Sequence, residues 1–295
     1  MNKKATFIKH TAAISAMFIL GNAVMFLPKK NANEFTFTGF LIGFILSIAV
    51  YFLSSKIYFY VLESNNNIFL KKAVTVILLT VLAVFAFFCA GETFLSLGRF
   101  ITKVMLPKTP PFFAFLILFA VVVYFSLKRQ ENVLKFALIS LVLTGIVIIF
   151  FFFAAMDKYD LRNIFIFRLP NLKEIIKQTK PYLLNPIIPV LLLPLYNIFT
   201  FDKEMKKAGV SGIVIGQIFL GITILTSVLL FGADFAGRLD FPYSSAISTV
   251  TVGRLFTRLD GFSFFIYFVS GIIKITVSVF VVFSCLKKLK EIIPG

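Results

Sequence analysis

The sequence predicts an all-α polytopic membrane protein, and three observations carry that expectation. Of 295 residues, 59% are hydrophobic and 15% charged, with a mean hydropathy of +0.96. A water-soluble domain does not hide that much apolar surface. Apolar runs close to the ~20 residues that cross a hydrocarbon core recur along the whole chain. The basic residues behind the formal charge of +17 stand in short clusters between these runs, as in loops facing anionic lipid. They do not form the single basic domain of a nucleic-acid binder.

Taken in order, the predicted spans are 8–27, 37–53, 73–97, 112–127, 136–155, 182–201, 209–231 and 262–286. The first follows MNKKATFIKH and imitates a secretory signal, but no small-x-small cleavage site closes it, so a spanning helix is expected. The second and fourth are only just long enough to cross. Five basic clusters would share the inner side if the N-terminus is cytoplasmic. They are Lys3, Lys4, Lys9; Lys56, Lys71, Lys72; Lys128, Arg129, Lys135; Lys203, Lys206, Lys207; and Lys287, Lys288, Lys290. The stretch NLKEIIKQTK, 171–180, reads either as an amphipathic surface segment or as the polar start of the sixth span. Cys89 and Cys285 lie in separate apolar runs without CxxC spacing, which predicts core thiols and neither a disulfide nor a metal site.

Two spans carry the marks of interruption. In the first, GNA at 21–23 combines a glycine, which lowers helix propensity, with an asparagine, which competes for backbone hydrogen bonds. In the sixth, Pro186, Pro189 and Pro194 each remove a backbone donor, in NPIIPVLLLP. Unwound backbone at membrane depth survives only where protein or a water-filled cavity satisfies it, and paired interruptions point to a binding site near the midplane. Candidate ligand-binding residues are therefore Gly21, Asn22 and Ala23 of the first break and Asn185 and Pro186 of the second. Close helix packing at Gly21 and a simple proline kink are the plainer alternatives.

Lys274 lies mid-span in the last run, beyond easy snorkelling reach of either surface. Tyr267, Ser270, Gly271, Lys274 and Ser278 recur at helical spacing and make one small, polar stripe, expected to face inward. Ser270 and Gly271 join the candidate ligand-binding set, and Lys274 with Ser278 forms a candidate cation or coupling site. Glu92 is the second intramembrane ion. It shares a face with Ser96 and Arg99, so a local Glu92–Arg99 pair competes with a coupling role beside Lys274. Gln217 reads as helix-to-helix glue and His10 as structural. No HExxH, Walker or dinucleotide fingerprint and no nucleophile–histidine pairing occurs, so neither an enzyme nor a cofactor is expected.

Four stretches resemble a known family, the permease-like B subunits of bacterial spore germinant receptors. FPYSSAISTVTVGRLFTRLDGFSFFIYFVSGIIKI, 241–275, is similar to its loop and eighth helix, with Ser270 in place of the first glycine of the helix signature. GNAVMFLP at 21–28, LPKTP at 106–110 and DKEMKKA at 202–208 resemble its broken first helix and two of its loops. The resemblance implies the five-plus-five inverted-repeat fold of the amino acid-polyamine-organocation transporters. The first repeat would occupy 1–155 with five spans, and an incomplete second repeat 156–295 with three. It implies a sensor of small nutrients such as amino acids at the spore inner membrane, acting with companion receptor subunits. Gly21 and Asn22 would then border the pocket with Pro186, and Lys274 would replace a cation between the first and eighth helices. The family pattern continues beyond EIIPG through two further helices, and Ile187, Ile188 and Pro189 stand where it carries an acidic residue. A proton-coupled amino-acid permease in a bacterial cell membrane and a scaffold subunit that binds no ligand are the rival expectations.

Overall fold

This computed structural model describes residues 3–22, 35–63, 68–164, 172–179, 203–250 and 260–292. Among them the chain is helical, without strands. The main helices are α1 (Lys3–Leu20), α2 (Thr36–Glu63), α3 (Ile68–Phe100), α4 (Pro111–Ser126), α5 (Gln130–Ala154), α6 (Leu172–Thr179), α7 (Lys203–Phe231), α8 (Pro242–Thr249) and α9 (Asp260–Ile292). All the predicted spans but the sixth contain one of these helices. The sixth, with Asn185 and Pro186, lies outside the described residues, as does Ala23. Five stretches are long and apolar enough to cross a membrane: Thr36–Lys56, Lys72–Met105, Gln130–Ala154, Lys207–Phe231 and Gly261–Ile292. His10–Leu20 and Pro111–Ser126 are apolar but shorter.

Local sequence explains where the helices stop. α3 passes into a π-helical turn, Ile101–Met105, closed by the Leu106 amide on the Ile101 carbonyl at 2.8 Å. LPKTP then turns the chain, and Pro111 opens α4 at a position where a missing amide hydrogen costs nothing. Gly232 follows α7 at φ +73°, a left-handed C-terminal conformation that a side chain would strain. The segment predicted at 171–180 contains α6, whose Gln178 packs against the start of α2. There the Thr36 hydroxyl donates to Gln178 Oε1 at 3.1 Å, and Gly39 leaves room for the Gln178 backbone.

The core is built around two helix pairs, α9 on α3 and α1 on α7, with α1 also touching α5 and α9. The α1–α7 contact depends on small residues. A Cβ on Gly216 would come within 2.8 Å of the Ala16 carbonyl, and one on Gly212 would collide with the Ala12 carbonyl. This is the close backbone approach that GxxxG spacing permits in membrane helices. α2 runs antiparallel to α7, since Tyr51 meets Gly209 while Phe40 meets Gly221. Cys89 and Cys285 are buried free thiols. Phe87, Phe88, Ile77 and Val81 of α3 are more than half exposed, an apolar surface suited to lipid.

The end of the bundle remote from the first residues of α7 is held by polar links. Lys103 pairs with Asp240 at 2.6 Å, and Lys158 donates to the Thr249 carbonyl at 2.5 Å. The Asn163 amide donates to the Leu229 carbonyl at 3.0 Å. Beside it, the exposed Arg162 guanidinium donates to Asp160 and holds that carboxyl below its usual range.

Candidate functional site

The site is built where α1 ends. The Gly21 amide still closes a regular helical bond on the Met17 carbonyl at 2.9 Å, but the Asn22 amide tightens to Ile19, three residues back, also at 2.9 Å. α1 therefore stops at Leu20, and Gly21 and Asn22 form a turn inside the bundle, as the GNA stretch predicts. The turn is buried, with Asn22 1% exposed.

α9 supplies the opposing face. Lys274 stands roughly 20 Å from one end of its span and roughly 27 Å from the other at 1.5 Å rise per residue. It is 3% exposed, and its ammonium donates to Asn22 Oδ1 at 2.5 Å. This joins residues 252 positions apart. The Phe18 ring lies 6.0 Å from the same nitrogen, at the outer limit of a cation–π contact. Gly21 is what permits the approach. A Cβ there would lie 2.8 Å from Lys274 Cβ, 2.9 Å from its Cδ and 3.0 Å from the Ser270 carbonyl oxygen.

The whole predicted stripe of α9 faces inward: Tyr267, Ser270, Gly271, Lys274 and Ser278 are all buried. Its members touch different neighbours. Ser270 returns its hydroxyl to the Ile266 carbonyl of its own helix at 2.6 Å and presents its backbone to Gly21. Gly271 packs on Leu97 of α3, where a Cβ would lie 3.1 Å from a Leu97 methyl. Ser278 is buried, and its hydroxyl has no hydrogen-bond partner among the described residues. Two turns from Lys274, Tyr267 meets Phe100 edge-on at 4.7 Å, and Phe100 meets Phe241 at 4.9 Å. With Ser244 and Ser263 joined at 3.0 Å, this aromatic cluster ties α8 and α3 to α9.

Glu92 is placed differently. It is exposed on α3, as is Arg99, and the pair predicted between them does not form. Seven residues separate them by roughly 10 Å along the axis, and neither side chain is drawn back into the bundle. No ion pair joins Glu92 to Lys274 either. The structure thus brings together Gly21, Asn22, Ser270 and Lys274, sets Gly271 and Ser278 on adjoining faces of the same helix, and leaves Glu92 outside. Gln217 of α7, read from sequence as glue, is 1% exposed, and neither of its amide atoms has a hydrogen-bond partner among the described residues. Its neighbour Gly216 packs on Ala16 and Ile19, just before the end of α1.

Chemically, the arrangement offers a buried ammonium beside the turn that ends α1. Such a constellation can hold an acceptor such as a carboxylate or carbonyl oxygen. A family model described as spore germination protein matches residues 7–293. The chain is also 22% identical over 291 residues to spore germination protein KB of Bacillus subtilis (strain 168), an alignment covering 94% of this chain and 76% of that protein. No solved structure matches.

Proposed function

Since the chain belongs to the spore germination protein family, we propose that it is the membrane subunit of a germinant receptor that detects a small nutrient, such as an amino acid, at the junction of α1 and α9. The observation that carries this reading is the buried Lys274 ammonium on Asn22 at the end of α1. A charge at that depth costs at least ~2.5 kcal/mol on insertion scales, so a membrane protein keeps it for a task. The ammonium has three donors and Asn22 occupies one, leaving donors for a ligand carboxylate or for backbone carbonyls at the first break.

In this reading Lys274 stands where a carrier of related architecture would bind a cation, Ser270 keeps α9 slim enough for α1 to lie against it, and Gly271 does the same for α3. Bound nutrient favours one arrangement of the α1 end over another, by no more than its difference in affinity for the two. Companion subunits read that shift. The N-terminus faces the cytoplasm in the spore inner membrane.

The test is Lys274→Met in otherwise native spores, with protein level checked by immunoblot. Loss of the nutrient response at normal protein level is expected, while germination by a route that bypasses receptors persists. A normal response from well-expressed Lys274→Met would remove the lysine from the function. Uptake of labelled amino acid by the chain alone in proteoliposomes under a pH gradient would instead favour a carrier.

A further inference from the structure

Away from the Lys274 site, an open groove of about 370 Å³ lies between α2 and α7. Phe52 forms one wall, and Val210, Ser211, Val214 and Ile215 form the other, with Lys207 at its end. From Lys207 to Ile215 the trough covers about two turns of α7, roughly 12 Å. Its lining is apolar except for Ser211 and the lysine. Lys56 follows Phe52 by one turn on the same face of α2. Because α2 and α7 are antiparallel, with Tyr51 beside Gly209, Lys56 stands at the same end of the groove as Lys207. Both lysines are exposed, and neither has an ion-pair or hydrogen-bond partner among the described residues.

A hydrophobic trough that opens sideways from a spanning bundle and ends in two uncommitted cations matches one chemistry. We propose that it binds an anionic phospholipid, with one acyl chain along Phe52, Val210, Val214 and Ile215 and the phosphate between Lys56 and Lys207. The volume sits at the lower end of small-ligand sites, which suits a chain. A partner helix would need an apolar face of several turns, and its own charge would have to answer two lysines. Basic pockets between spanning helices at the membrane edge recognise lipid head groups by this complementarity. The site shares no residue with the α1–α9 junction, so the two readings stand or fall separately.

The test is native mass spectrometry of the full purified chain titrated with dioleoyl-phosphatidylglycerol or with dioleoyl-phosphatidylcholine, which carries the same tails on a neutral head. One phosphatidylglycerol retained in preference to phosphatidylcholine is expected. Lys56→Gln and Lys207→Gln should each weaken it about fivefold, and the double variant about thirtyfold. Val214→Trp should displace the lipid with both lysines intact. If that variant is destabilised, the double lysine variant, altered only at exposed positions, still decides. Equal retention of the two lipids, or undiminished retention by the double variant, would overturn the proposal. So would a photo-crosslinker at Ser211 that labels a peptide in membranes and no lipid.

Discussion

α9 and α3 lie against each other, and each carries one charged residue within its predicted apolar run, 262–286 and 73–97, yet the two charges meet opposite fates. On α9, 72% of the apolar window is buried and Lys274 points into the bundle at Asn22; on α3 the share is 33% and Glu92 points out. Hydrophobicity does not separate the two helices. The company each charge keeps along its own helix does. Lys274 shares its stripe with Ser270, Gly271 and Ser278, small residues that let α1 and α3 come close. Glu92 is flanked one turn away by Phe88 and Leu95, both more than half exposed. An intramembrane charge on a small, polar stripe turns into the bundle, whereas one on a bulky apolar face stays at the surface.

The largest effect that would sharpen this contrast is Gly21→Leu. Its side chain would have to occupy space held by the Lys274 stem and the Ser270 carbonyl, costing about 3 kcal/mol or more and abolishing the nutrient response. Wild-type melting of Gly21→Leu in detergent would show that α1 and α9 do not meet there. Asn22→Ala should come next. It leaves a buried ammonium without its acceptor, which costs about 3 kcal/mol, seen as a lowered melting temperature. The smallest effect is expected from Glu92→Gln, within about 0.5 kcal/mol of the parent and with germination retained. Loss of the response in a well-expressed Glu92→Gln protein would break the comparison and return Glu92 to the coupling site.

The helices and the inward stripe of α9 were legible because they depend on local pattern: apolar run length for the spans, and 3.6-residue spacing for Tyr267, Ser270, Gly271, Lys274 and Ser278. The end of α1 was legible for the same reason, since Gly21 and Asn22 weaken a helix whatever surrounds them. Spacing also put Glu92 and Arg99 on one face of α3, but periodicity does not say which way a face points. That depends on which helix arrives to cover it. Spacing was equally silent on the partner of Lys274, because the Asn22 contact spans 252 positions; the family resemblance alone set the lysine against the first helix. The α2–α7 groove had no signature at all, for it is the gap left where Tyr51 wedges against Gly209.

The most direct test is a double-mutant cycle on Asn22→Ala and Lys274→Met, read as reversible unfolding of the detergent-solubilised chain. Lys274→Met alone should be neutral or stabilising, because an apolar side chain of similar length relieves the cost of the buried charge. In that background Asn22→Ala should lose most of its penalty, giving a coupling between about 1 and 3 kcal/mol. Additive effects, within about 0.5 kcal/mol, would mean that the ammonium and the end of α1 are not in contact.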